Sequence, residues 1–135
     1  MTTLSLVSDH MARHLVTLSP DQEINNAMHV LLKHGVSGAP VVDGEARLVG
    51  ILTEKDCLRA ALEASYYRDW GKPVSAYMQR DVATIEPDID ILAACQTLLD
   101  GPYRRFPVVD DGRLVGLISR TDVLRALADT WGMSG

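Results

Sequence analysis

Two rhythms of apolar residues run along the chain, and each occurs twice. Ile24, Ala27, Met28, Leu31 and Leu32 recur at three- and four-residue spacing, which predicts one apolar helix face. Ile91, Ala94, Cys95, Leu98 and Leu99 repeat that spacing. Ser19-Pro20 and Glu86-Pro87 precede the two runs, and Pro suits a first helical turn, so the helices are expected to open there. Asp21 and Asp88 then add charge suited to the positive end of a helix dipole. Short runs rich in β-branched residues, Ala39–Val42 and Phe106–Val109, predict strands. Asp43-Gly44 and Asp111-Gly112 predict turns, with returning strands over Leu48–Leu52 and Leu114–Ile118. Second helices are predicted from near Glu54 through Leu62 and from near Arg120 through Ala128. Each half thus reads short strand, helix, strand, strand, helix, an α+β pattern.

The two halves are copies. Residues 16–43 match 83–110 at 11 of 28 positions, and residues 47–62 match 113–128 at 8 of 16. Arg47-Leu48-Val49-Gly50 recurs as Arg113-Leu114-Val115-Gly116, and the match extends upstream through Ser8/Ser75, Met11/Met78 and Arg13/Arg80. The expected domains are a first repeat over 1–62 with its N-terminal segment, a connector over 63–74 and a second repeat over 75–135. A repeat of roughly 60 residues is near the size where a lone core is marginal, so the pair is expected to fold together.

Composition narrows the classes of function. Of 135 residues, 47% are hydrophobic and 23% charged, normal for a globular protein. The formal net charge is -5, and no basic tail or helix face stands out, which argues against duplex nucleic acid. No apolar run approaches the ~18 residues of a membrane span. The first fifteen residues lack a basic leader followed by an apolar block, so neither membrane nor secretion is expected and the cytoplasm is. Cys57 aligns with Val123 and Cys95 with Met28, so both thiols are expected at buried structural positions. His10 and His14 stand four apart, but no carboxylate or thiol set completes a metal site, and none is expected. The connector holds Tyr66, Tyr67 and Trp70, expected to pack on the repeats.

One chemical motif appears at equivalent places in both halves: Gly50-Ile51-Leu52-Thr53-Glu54-Lys55-Asp56 and Gly116-Leu117-Ile118-Ser119-Arg120-Thr121-Asp122. It falls where a strand ends and a helix begins. Free amides at a helix start suit a phosphate, and a carboxylate can accept hydrogen bonds from both hydroxyls of a ribose. The same residues also fit a helix capping box, Thr or Ser bonding an amide in the first turn and Asp reaching back. The two roles are compatible.

Taken in order, Thr-x-x-Pro-Asp, an apolar helix, Pro-Val-Val-Asp, Arg-Leu-Val-Gly and Gly-x-x-[Thr/Ser]-x-x-Asp resemble the CBS domain. The resemblance covers about residues 8–130 and looks like a bacterial stand-alone CBS pair, or Bateman module. It implies tandem repeats, each a short three-stranded sheet with two helices, packed with pseudo-two-fold symmetry. It also implies an adenosine ligand (AMP, ADP, ATP or S-adenosylmethionine) in the cleft between repeats. The ribose would fall to Asp56 and Asp122, with Thr53, Ser119 and Thr121 near ribose or phosphates. Adenine would lie by Thr17 and the Val36–Pro40 segment, including Ala39, and by Thr84 and the Tyr103–Pro107 segment. Arg104 and Arg105 would meet phosphates, and the first repeat has Ser37-Gly38 in their place.

The leading expectation is a non-enzymatic regulatory module that signals to an unknown effector protein by changing shape when its ligand binds. No nucleophile or acid–base set points to catalysis, and no cofactor is required. The resemblance further implies a homodimer formed through helices, and Trp131 extends the helix-spaced set Val123, Leu124, Leu127 and Ala128 on such a face. The alternative is a structural interaction module whose motif only caps helices.

Overall fold

A computed structural model describes residues 5–69 and 71–132, so Trp70 lies outside the described residues. The chain forms two compact units. The first is Val16–Val82, and the second joins the segment up to Leu15 with the chain from Ala83 onward. The boundaries expected at 1–62, 63–74 and 75–135 follow the sequence repeat, whereas packing divides the chain just before Val16 and just after Val82.

The difference comes from the short stretches upstream of each repeat. The stretch carrying the 3-10 turn Val74–Ala76 belongs to the first unit, where Val74 N–H donates to Gln22 O and Gln79 N–H to Ile51 O, both at 2.8 Å. The stretch carrying α1 (Val7–His10) does the same in the second unit. There Val7 N–H donates to Ile89 O and Ala12 N–H to Leu117 O, again at 2.8 Å. Val74 and Val7 are fully buried, so each stretch also fills its unit's core.

In the first unit, α2 (Ile24–His34), β1 (Gly38–Val42), β2 (Leu48–Thr53) and α3 (Glu54–Tyr67) follow in order. In the second, α4 (Ile91–Leu99), β3 (Arg105–Asp110), β4 (Arg113–Ser119) and α5 (Arg120–Thr130) repeat the series. Both hairpins are antiparallel and shift register at the same place, between Val41 and Val42 and between Val108 and Val109. The expected third strand shrinks to one parallel bridge, Leu18 with Val41 and Ile85 with Val108. Only one residue pairs because Pro20 and Pro87, two positions on, have no N–H to continue a ladder. The far edge of each hairpin is covered by another single bridge, Ile51 with Gln79 and Leu117 with Ala12.

The first helix of each repeat starts later than its proline predicts. The carbonyl of Pro20 accepts from Ser75 N–H at 3.0 Å and that of Pro87 from Ser8 N–H at 2.9 Å. These backbones pair with the upstream stretches, so Asp21 and Asp88 lie outside the helices. At α4 the free amides are met instead by Asp90, whose Oδ1 accepts from Ala93 N–H at 2.8 Å.

The two cores correspond position by position. Ile24, Ala27, Leu31, Val41, Leu52 and Ala60 in the first unit are matched by Ile91, Ala94, Leu98, Val108, Ile118 and Ala126 in the second. Burying each larger aliphatic contributes about 1.5–3 kcal/mol. A close approach explains the repeated glycine of Arg-Leu-Val-Gly. A Cβ on Gly50 would stand 2.7 Å from Met78 Sδ and 2.9 Å from Gln79 O. One on Gly116 would run into Met11 Sδ and stand 3.0 Å from Ala12 O. The upstream stretches press on β2 and β4 at a distance only glycine permits.

Two of the connector aromatics, Tyr66 and Tyr67, do not pack as expected. Helix α3 runs on past Leu62, so Tyr66 and Tyr67 lie beyond its last buried residue, Ala64, and are exposed. Tyr77 anchors the following stretch through a 3.0 Å bond from its hydroxyl to Glu63 Oε2. Burial, aided by that carboxylate, raises the Tyr77 pKa above its ordinary value.

Candidate functional site

In both units the second strand of the hairpin runs directly into a helix. Thr53 ends β2 and caps α3, while Ser119 ends β4 and caps α5. Both motifs form complete capping boxes. The Thr53 hydroxyl accepts from Asp56 N–H at 3.3 Å, and Asp56 Oδ2 accepts from Thr53 N–H and its hydroxyl at 2.9 Å each. The Ser119 hydroxyl accepts from Asp122 N–H at 3.2 Å, and Asp122 Oδ2 accepts from Ser119 N–H at 2.9 Å and its hydroxyl at 2.8 Å. The capping role is therefore realised. What remains for a ligand is each carboxylate's second oxygen.

Those second oxygens differ. Asp56 Oδ1 is 3.2 Å from Arg59 Nη1, and the carboxylate-bearing side chain is only 2% exposed. Asp122 Oδ1 is 3.8 Å from Arg125 Nη1, with 21% of the side chain exposed. The Asp122 carboxylate is the more accessible of the two and the less tightly paired.

The start of the hairpin is brought to the same junction. Glu54 N–H donates to Ser37 O at 2.9 Å, and Arg120 N–H donates to Arg104 O at 3.0 Å. Gly38 lies opposite Thr53, and Arg105 lies opposite Ser119. Arg104, Arg105, Ser119, Thr121 and Asp122 therefore share one end of the second unit's hairpin. Arg104, Arg105 and Thr121 are exposed. Thr17 and Thr84 are exposed and lie on the opposite edge of β1 and β3, each just before the residue that bridges to the strand. Ala39 is buried, with its side chain in the core cluster. Arg120 belongs at this junction although the sequence reading left it out. Its Nε donates to Tyr103 O at 3.2 Å, and the Tyr103 ring lies 5.0 Å from that of Phe106. The signal was its alignment with Glu54, a reversal of charge inside an otherwise matching motif.

Each helix pair also carries an apolar groove. Between α2 and α3 a cavity of about 260 Å³ is lined by Met28, Leu32, Cys57 and Leu58 among others. Between α4 and α5 one of about 200 Å³ is lined by Cys95, Leu99, Val123 and Leu124 among others. Leu32, Leu58, Leu99, Leu124 and Trp131 are exposed. Both cysteines occupy apolar positions: Cys57 is buried and Cys95 half-buried. Burial first, then the nearby Asp56 and Glu54 charges, push the Cys57 thiol up from its ordinary pKa. That lowers its thiolate fraction and reactivity. His10 Nε2 lies 2.9 Å from Ser5 Oγ. Among the described residues, no group of three or more His, Cys, Asp or Glu could hold a metal, and no helix is long and apolar enough to cross a membrane.

The duplicated hairpin-and-helix units, each with a capped carboxylate motif, define the class. The CBS domain model matches twice, over residues 7–63 and 74–129, and the chain belongs to that family. It is 33% identical over 128 residues to the protein MJ1225 of Methanocaldococcus jannaschii, spanning 95% of this chain and 45% of that protein. Among solved structures it is similar to CBSX2 of Arabidopsis thaliana in complex with AMP. The TM-score is 0.80 and the identity 30%, over 93% of this chain and 98% of that one. It is also similar to the CBS domain pair of the protein MJ0100 in complex with 5'-methylthioadenosine and S-adenosyl-L-methionine. There the TM-score is 0.74 and the identity 27%, over 95% of this chain and 99% of that one.

Proposed function

We propose that the chain is a regulatory module that binds an adenosine-containing ligand (AMP, ADP, ATP or S-adenosylmethionine) and signals occupancy to a partner protein. The observation that carries the reading is the likeness, over nearly the whole chain, to a CBS pair bound to AMP. In the second unit, Asp122 holds the ribose hydroxyls, Ser119 and Thr121 flank the ribose or phosphates, Arg104 and Arg105 meet phosphate, and Thr84 lies near adenine. Asp56, Thr53, Thr17 and Ala39 take the matching places in the first unit. Binding shifts the conformation because the ligand favours one arrangement over another. The reading places the module in the cytoplasm and assigns no catalytic step to it.

Thermal unfolding with adenosine, AMP, ADP, ATP and S-adenosylmethionine tests the proposal. A ligand at about 100 times its dissociation constant stabilises by about 2.7 kcal/mol, and Asp122→Ala should diminish that shift. No shift with any ligand would overturn the reading in favour of a module that only makes protein contacts.

A second reading concerns assembly. The exposed Leu32 and Leu58 on one helix pair, and Leu99 and Leu124 on the other, are matching apolar faces made by duplication. A second copy of the chain presents the same surfaces, and we propose it as their occupant. Sedimentation of the wild type and of Leu58→Glu/Leu124→Glu decides this. A dimer converted to monomer supports it, and a monomeric wild type excludes it.

A further inference from the structure

We infer that Arg120 makes the second unit's site selective for phosphate-bearing adenosine ligands, while Glu54 leaves the first unit's site suited to ligands without phosphate. This rests on the adenosine-ligand reading above and assigns the ligand class of each of its two sites.

The argument starts from equivalence of scaffold. Arg120 and Glu54 are each the first residue of a helix, behind a hydroxyl cap. Each donates its backbone N–H to the carbonyl that begins the hairpin, Arg104 O in one unit and Ser37 O in the other. The neighbouring positions are Arg104 and Arg105 in the second unit and Ser37 and Gly38 in the first. Thr121 is replaced by Lys55, so the first unit's junction sums to zero across Ser37, Gly38, Glu54 and Lys55. The second unit's junction sums to plus three across Arg104, Arg105, Arg120 and Thr121.

Two features set Arg120 apart from a solvated surface arginine. Its Nε is held by Tyr103 O at 3.2 Å and its backbone N–H by Arg104 O at 3.0 Å, which ties the residue to the segment that carries Arg104 and Arg105. Among the described residues, none of these three arginines forms an ion pair with a carboxylate. The position also opposes local stability. The start of a helix carries partial positive charge, which favours Glu54 and disfavours Arg120. A bound phosphate offsets that repulsion and accepts forked hydrogen bonds from the guanidinium groups. At the first unit, the Glu54 carboxylate cancels the Lys55 charge and leaves no net attraction for phosphate, which suits a ligand such as 5'-methylthioadenosine that has none.

Calorimetric titration of the full chain with ATP and with 5'-methylthioadenosine provides the test, using Arg120→Glu, Arg120→Gln and Glu54→Arg. Arg120→Glu should weaken ATP about tenfold or more, as loss of a charge-assisted hydrogen bond does. It should weaken 5'-methylthioadenosine far less than ATP, and Arg120→Gln should fall between. Glu54→Arg should strengthen ATP binding at the first unit by a similar factor. Thermal unfolding checks that each variant is folded, and a carboxylate in the first turn of α5 favours the helix. If the wild type binds both ligands and Arg120→Glu leaves their ratio unchanged, the selectivity assignment is overturned while the adenosine reading stands. If the wild type binds neither, both fall.

Discussion

At the β2–α3 junction Asp56 is closed in: both oxygens have partners, and Arg59 covers the one that the cap leaves over. At the β4–α5 junction the same cap is made, but Asp122 keeps a looser oxygen, and Arg104, Arg105 and Arg120 stand at the same end of the hairpin. The duplicated sequence has therefore kept the residues that build the capped junction and varied the exposed ones beside it. Glycine, hydroxyl and aspartate recur because β2 and β4 must admit an upstream stretch and then start a capped helix. The two residues between hydroxyl and aspartate, Glu54 and Lys55 in one unit and Arg120 and Thr121 in the other, are exposed and free to diverge in charge.

The sharpest way to break this comparison is through the carboxylates. Asp56→Ala strands the Thr53 amide in a part-buried place and also removes the partner of Arg59, so it should destabilise by about 3 kcal/mol. Asp122→Ala frees the Ser119 amide in the same way but gives up only a longer, more exposed contact with Arg125, so it should cost less, about 1–2 kcal/mol. Denaturant unfolding of both variants without ligand reads the difference, and equal losses would mean that the closure around Asp56 contributes nothing.

The glycines test what the units share. Gly50→Ala and Gly116→Ala should each destabilise by about 1–3 kcal/mol through overpacking against the upstream stretch. A small loss in one unit only would show that its stretch can move aside. The hairpin turns give the smallest effect. Ala46 has φ of 64°, a left-handed conformation that favours glycine, while the other turn already places Gly112 at φ 80° beside Asp111. Ala46→Gly should therefore stabilise by up to about 1 kcal/mol in thermal unfolding. No gain would mean that the first turn can relax to accept alanine.

Much of the fold was legible because it depends on near neighbours. The three- and four-residue spacing located α2 and α4, the β-branched runs located the strands, and Thr-x-x-Asp and Ser-x-x-Asp located the caps. The late helix starts were not legible. Pro20 and Pro87 do suit helices, but their carbonyls are taken by Ser75 and Ser8, residues far along the chain. The exposed Tyr66 and Tyr67 were missed because nothing nearby stops α3 at Leu62. Arg120 was missed because a position that varies between repeats looks unimportant until its neighbour across the hairpin is seen to be Arg104.

The sequence alone was enough for the duplication, the family resemblance and the order of elements, since each follows from residue identity and spacing. The division into packed units was decided only in three dimensions. Val7 and Met11 stand ahead of the first repeat yet fill the second unit's core, and Val74 and Met78 stand ahead of the second yet fill the first's. The open edge of each hairpin has unpaired amides and carbonyls that a strand-like stretch must satisfy. Which copy of that stretch does so depends on where the chain can reach, and local periodicity does not encode that.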